Sequence, residues 1–362
     1  MSLDQKNAEA ATLGRLNAQL DQSLGSFLAT IRRERGITRM LVLLLLSFGL
    51  FALLKPAVFL NPLNLENIAI ASPEIGILAV AMMLAMVTGG IDLSIVAIAN
   101  FAAVTITTVY SGIAAQDPGQ AAALMPLIVL LGLVTAAVAG LFNGFLIGVV
   151  GITPILATLG TMQILNGIAV VWTNGQTLYG APEALTAFAK TTVVGIPALF
   201  LFFLLIAVAI AILMNRTSLG LKLQLQGANA LAAKYSGISS RRVLMSTYLV
   251  SGLLGGLAGV VFIARNPTAS ADYGSSYVLL VIVIAVLGGT NPSGGFATVA
   301  GVVMATLTLQ IVSSGFNALR LSPYEYSIAQ GVILIAVMVF DQLRFRRSKP
   351  PKSRADTAPV TP

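Results

Sequence analysis

The sequence predicts an all-α protein that crosses a membrane many times, and three observations carry that prediction. Of its 362 residues 57% are hydrophobic and only 9% are charged, with a mean hydropathy of +0.91. A soluble domain carries about 25% charged residues, enough to cover its surface. The apolar residues also come in long runs, and about 20 residues of helix cross the hydrocarbon of a bilayer. Finally, the runs lack the alternating segments of about 10 residues that mark a membrane β-barrel.

The elements follow in order. Residues 1–39 are polar, but Leu13, Leu16, Leu20, Leu24 and Phe27 recur at three- and four-residue steps, one face of a helix, before the basic stretch RRERGITR. That pattern suits a helix lying on the inner leaflet or docking a partner. The first apolar run starts near Met40, so no cleavable leader is expected. Spans are expected at 40–59, 68–88, 92–112, 121–150, 154–173, 193–214, 243–264, 276–290, 294–317 and 324–341. The fourth is long and is expected to tilt or break at Phe142-Asn143-Gly144-Phe145. The chain thus divides into a basic N-terminal segment (1–39), a transmembrane domain (40–341) and a basic, disordered tail (342–362).

Charge orients these spans. With the N-terminus in the cytoplasm, 17 of the 21 Lys and Arg residues fall on that side, and only Lys55, Lys190, Arg265 and Arg320 fall outside. This positive-inside bias supports an even number of spans and cytoplasmic termini. It also accounts for the net charge of +8 as a signal for topology and anionic lipid rather than nucleic acid. The chain has no Cys and no His, which removes disulfides, metal sites built on those residues and His-based catalysis. No G-x-x-x-x-G-K-[ST] phosphate loop occurs, so this chain does not cradle ATP that way.

Within the apolar sequence, TGGIDLS (88–94) places two glycines and a carboxylate between greasy runs. Gly89 and Gly90 suit a helix C-cap, and Asp92 or Ser94 an N-cap, so a helix break is expected. It is either a tight turn at the membrane surface or a break inside the bundle whose carboxylate lines a path. VTGGIDLS (87–94) is echoed by VLGGTNPS (286–293), with Gly288 and Gly289 in the matching places; internal repeats are common in transporters. Glu74, after Ser72-Pro73, is expected at a kink near the outer surface, and Glu325 raises the same question of a charge in a span.

Other polar residues in the spans are uncharged: Asn100, Asn143, Thr158, Thr161, Gln163, Asn166, Gln310 and Asn317, with Asn174 and Gln176 near an outer mouth. They suit either helix–helix hydrogen bonds or a path for a neutral, hydroxyl-rich solute. Gly252, Gly255, Gly256 and Gly259 form a small-residue pattern expected to pack helices. Between two spans, 215–242 is a basic loop without acidic residues whose middle, GANALAAKYSGIS, is helix-prone. It reads either as a solvated connector or as a lever for a motor protein.

Four blocks in order, VTGGIDLSIVAIANFAAV, NGFLIGVVGITPILATLGTMQILNGIAVVWTNGQ, GANALAAKYSGIS and AVLGGTNPSGGFATVAGVVMATLTLQIVSSGFNAL, resemble the membrane permease subunit of ribose-, xylose- and arabinose-type sugar ABC importers. The resemblance runs from about residue 40 to 341. It implies a non-enzymatic transport subunit of the bacterial inner membrane, a second permease copy (the same chain or a paralogue) with the path between the two, an ATPase subunit on the cytoplasmic face and a periplasmic sugar-binding protein. No cofactor is expected on this chain; ATP and Mg would sit on the ATPase. LAAKYSG (231–237) resembles the E-A-A-x-x-x-G coupling motif of importers, with Ala232, Ala233 and Gly237 matching and Leu231 in the place of Glu. The resemblance therefore assigns Asn229, Ala232, Ala233, Lys234 and Gly237 to ATPase coupling. It makes Asp92, Ser94, Asn100, Asn143, Thr158, Thr161, Gln163, Asn166 and Asn317 candidates for the path. Two alternatives stand beside it: a permease of the same branch for a nucleoside, an amino acid or a furanone signal, and an ion-coupled secondary transporter using Asp92 and Glu74.

Overall fold

A computed structural model describes residues 35–322, 324–332, 335 and 339. The amphipathic segment expected over residues 13–27, the tail 342–362 and part of the last expected span, 324–341, lie outside the described residues; the start of that span, 324–332, is helical. Helix α1 spans Arg35–Leu54, followed by the single turn α2 (Pro56–Phe59). Then come α3 (Pro62–Val87), α4 (Ile95–Ala114) and α5 (Pro118–Phe145), which continues as a π-helix over Leu146–Val150, and α6 (Pro154–Thr173). A short helix α7 (Glu183–Lys190) precedes α8 (Ala198–Arg216). Two short helices, α9 (Ser218–Ala228) and α10 (Ala230–Tyr235), lead into α11 (Ser240–Arg265), α12 (Tyr277–Leu287) and α13 (Val299–Ala318). Among the described residues, strand is confined to two-residue pairs: β1 (Leu178–Tyr179) with β4 (Thr268–Ala269), and β2 (Thr192–Val193) with β3 (Ile196–Pro197).

Local sequence explains the starts. Asn61, Asp117 and Thr153 each precede a proline at the first helical position, where a missing N–H costs nothing. The Asn61 and Asp117 side chains also accept from Leu63 N and Gln120 N, both at 3.0 Å. Among the described residues, eight helices are long and apolar enough to cross a membrane, and they match the expected spans from 40–59 to 243–264 together with 294–317. Two expectations change in detail. The segment 276–290 holds a helix of only 11 residues, too short to cross alone. The long fourth span is not broken at Phe142–Phe145; it passes there from α- to π-helix, a one-residue adjustment within a continuous rod.

Helix α3 is the axis of the bundle. Every residue from Ile77 to Val87 is buried, surrounded by α8, α11, α12 and α13. In contrast, α1, α5, α6 and α8 keep Leu, Ile and Val side chains exposed along one face, as lipid-facing helices do. Lipid is as apolar as leucine, so close packing rather than hydrophobic burial joins such helices. The glycines of α11 show this on two faces. Gly252 and Gly256 lie against Gly140 and Ala136 of α5, while Gly255 and Gly259 lie against Ile95, Ile98 and Ala99 of α4. The small-residue pattern is therefore a double packing seam.

Candidate functional site

Both glycine pairs end a helix in the same way. After α3, Gly89 has φ +84°, its N–H donates to Met86 O at 2.9 Å, and Gly90 N donates to Ala85 O at 3.2 Å. After α12, Gly289 has φ +91°, its N–H donates to Val286 O at 2.9 Å, and Thr290 N donates to Ala285 O at 3.0 Å. Each is a Schellman cap, which needs a left-handed residue and so selects glycine. Past each cap an Asx turn follows: Asp92 Oδ1 accepts from Ser94 N at 3.1 Å, and Asn291 Oδ1 from Ser293 N at 3.0 Å. The repeat seen in the sequence is thus a structural one, but with a slip. The Asx turns match in the sequence alignment, whereas the left-handed glycines are Gly89 and Gly289, one place out of it.

The first break is buried rather than a surface turn. Asp92, Ser94, Asn143 and Thr158 are each 0% exposed. Asp92 Oδ1 accepts from Ser94 Oγ at 2.6 Å and Oδ2 accepts from Ser251 Oγ at 3.0 Å, while Asn143 Nδ2 donates to Ser94 Oγ at 2.7 Å. The hydroxyl of Thr158 receives Leu93 N at 3.1 Å and lies 2.8 Å from Pro154 O. The start of α4 is thereby tied to α5, α6 and α11. Ser94 makes no capping bond to the helix it precedes; its hydroxyl serves Asp92 instead. Two buried atoms here, Asn143 Oδ1 and the Tyr248 hydroxyl, have no partner among the described residues. A Cβ on Gly90 would come within 2.6 Å of that hydroxyl.

The remaining candidates do not join this cluster. Asn100 donates from Nδ2 to Ala271 O and Tyr273 O, both at 2.8 Å, fastening α4 to the segment after α11. Thr161 is buried and its hydroxyl has no partner among the described residues, Asn166 is half-buried, and Gln163 and Asn317 are exposed.

A second polar centre surrounds Glu74, the thirteenth of 26 residues in α3, a helix that continues through Pro73. Glu74 is fully buried and ion-paired with Arg265. The Tyr273 hydroxyl donates to Glu74 Oε1 at 2.6 Å and accepts from Asn266 Nδ2 at 2.8 Å. Burial, with the Glu74 carboxylate beside it, holds the Tyr273 phenol well above its ordinary pKa, so it remains a donor. Glu325 has a local role: its Oε2 accepts from Ser322 N at 2.6 Å and its own N–H donates to Ser322 Oγ at 3.3 Å, a capping box.

The segment between α8 and α11 is a built arm. Asn229 caps α10 by accepting from Ala232 N at 3.0 Å. Gly237, at φ +78°, closes it with Gly237 N to Lys234 O at 3.1 Å and Ile238 N to Ala233 O at 3.0 Å. Ala233 faces inward, while Ala232 and Lys234 are exposed. At the base of the arm, Gly227 touches the backbone of both breaks. A Cβ there would collide with Val87 O and come within 2.6 Å of Gly295 N, and Gly295 N itself donates to Val87 O at 2.9 Å. Nothing in the sequence but the glycine itself marks Gly227, and Ser251, Tyr248, Arg265 and Tyr273 were likewise not among the expected site residues.

Comparison with known proteins fits this architecture. Residues 64–338 match the family described as branched-chain amino acid transport system / permease component. The chain is 32% identical over 294 residues to the ribose import permease protein RbsC of Bacillus subtilis, covering 80% of this chain and 88% of that one. It is 30% identical over 302 residues to the D-allose transport system permease protein AlsC of Escherichia coli, covering 83% and 90%. It is 30% identical over 317 residues to the autoinducer 2 import system permease protein LsrD of Salmonella typhimurium, covering 84% and 90%. No solved structure matches the chain.

Proposed function

The chain belongs to the family of branched-chain amino acid transport system permease components, and from that premise we propose that it is the membrane permease of an ATP-driven importer for a monosaccharide. It is a multi-pass transport subunit rather than an enzyme. ATP and Mg bind a separate ATPase on the cytoplasmic face of the inner membrane, and a periplasmic binding protein delivers the solute. A second permease copy completes the path, with both termini of each chain in the cytoplasm. The relatives named for ribose and allose support a sugar. So do the uncharged amides and hydroxyls spread through the spans, which suit a neutral, hydroxyl-bearing solute.

The observation that carries the mechanism is the arm packed against both helix breaks. An ATPase holding α10 gains a direct mechanical route through Gly227 to the ends of α3 and α12. Closure of the ATPases on ATP displaces the arm, the breaks re-aim their helices, and the path opens outward to accept the sugar; hydrolysis reverses this. ATP and sugar shift the equilibrium only through their differential affinity for the two states, so the path itself holds sugar weakly. The test is uptake in membranes by the assembled importer with Gly237→Arg. Hydrolysis is expected to persist while uptake fails, and normal uptake would remove the coupling assignment.

A further inference from the structure

Glu74 and Asp92 are both 0% exposed, but they are compensated differently. Glu74 has the Arg265 guanidinium. Asp92 has uncharged donors: the Ser94 N–H and hydroxyl on Oδ1 and the Ser251 hydroxyl on Oδ2. The N-terminus of α4 adds about half an elementary positive charge, while the C-terminus of α3, across the break, carries the opposite sign. A buried charge is costly unless it is paired, and here part of the carboxylate's charge is left without a counterpart. The same place holds polar atoms with nothing to bind. Asn143 Oδ1 and the Tyr248 hydroxyl have no partner among the described residues, and both residues are 0% exposed. Both adjoin Asp92. The Ser94 hydroxyl gives its proton to Asp92, so it can only accept from Asn143; that turns Nδ2 toward Ser94 and leaves Oδ1 as the free end of the same amide. Tyr248 stands three residues before Ser251, on the same side of α11. Its hydroxyl lies against the backbone of the break, 2.6 Å from where a Cβ on Gly90 would sit. A carboxylate without a cation and buried oxygens without a partner are complementary deficits, and one cation meets both.

We propose that Asp92, Asn143 and Tyr248, with the hydroxyls of Ser94 and Ser251, form a binding site for one sodium ion in the break between α3 and α4. Ligands that are all oxygen suit a hard cation. The single carboxylate matches a monovalent one: divalent cations draw on several carboxylates or on a substrate's phosphates, and no group of three or more Asp, Glu, His or Cys that could hold a metal occurs among the described residues. Irregular backbone between two helices inside a bundle is also where membrane proteins seat such ions. The ion is a fixture that ties the start of α4 to α5 and α11, not a coupling ion, so the inference adds to the importer reading without resting on it.

The experiment melts the purified full-length chain in detergent at fixed pH, replacing choline chloride stepwise by sodium chloride at constant ionic strength, so that screening does not change. Wild type is expected to show a saturable rise of about 5 °C once sodium is about a hundredfold above half-saturation. Asp92→Asn keeps the shape of the side chain and removes its charge, and the rise is expected to vanish. Tyr248→Phe removes only a hydroxyl that has no partner among the described residues, so it should fold, and it is expected to raise half-saturating sodium about tenfold. Equal melting temperatures in sodium and choline for wild type overturn the site. So does an undiminished rise in Asp92→Asn, since sodium then acts elsewhere. If Asp92→Asn fails to fold, Tyr248→Phe decides, and an unchanged half-saturation overturns the ligand set. A wild-type melt that climbs as pH falls in choline, with no response to sodium, gives the place to a proton and again overturns the ion.

Discussion

Gly227 lies against the carbonyl of Val87 so closely that no side chain fits between them. In an ordinary helix Gly→Ala adds about 1 kcal/mol of stability. Here Gly227→Ala is expected to reverse that sign, since overpacking a rigid site costs about 1–3 kcal/mol. The variant should still bind its ATPase but import much less sugar per ATP hydrolysed, because the arm no longer seats on the breaks. An unchanged transport-to-hydrolysis ratio would show that force does not pass through this contact.

The glycine caps predict a ranking. No neighbouring atom lies within 4 Å of a Cβ on Gly289, so a substitution there meets only the left-handed backbone, which costs an ordinary residue about 1–2 kcal/mol. Asn visits that conformation more readily than Ala. Gly289→Asn should therefore melt above Gly289→Ala when both are heated in detergent; the opposite order would mean that the cap does not set stability.

Among the buried polar residues of the spans, stability and transport should separate. Ser251→Ala deprives buried Oδ2 of its donor and should lower stability by about 1–3 kcal/mol. Thr161→Val removes a hydroxyl that has no partner among the described residues, so its melting temperature should hold or rise. If that hydroxyl meets solute, sugar uptake should nonetheless fall. Wild-type uptake would take Thr161 off the path.

Arg265→Ala leaves the Glu74 carboxylate buried without its cation. Breaking a buried pair from one side costs about 3–5 kcal/mol, and Arg265 being partly exposed puts the expectation near the lower end. Adding Glu74→Gln to Arg265→Ala should recover most of the loss in the same thermal assay. No recovery would indicate that Arg265 acts through packing instead.

The bundle was legible because a bilayer leaves little freedom: long apolar runs must be helices, and the prolines after Asn61, Asp117 and Thr153 announce their starts. The break at Gly89 was legible for the same local reason. Partnerships between distant residues were not. Glu74 and Arg265 lie 191 positions apart, and Ser251 sits in a glycine-rich stretch that reads as packing alone. The burial of Asp92 was similarly open, since TGGIDLS would read the same at a surface. The short α12 shows the limit of hydropathy, which sees an apolar run from 276 but not where its helix stops.

The single-residue slip between the two breaks makes them non-exchangeable parts. Grafting residues 87–94 over 286–293 by their alignment would bring the left-handed cap forward from 289 to 288. Helix α12 would then have to lose its last residue or rotate by about 100°. Either outcome drags Gly288 off the backbone of Gly301 and Val302, where a Cβ on it would come within 2.7 Å of Val302. Each turn is cut to its own socket, and a chimera of the two should misassemble despite the Gly-Gly pair and Ser that the two stretches share.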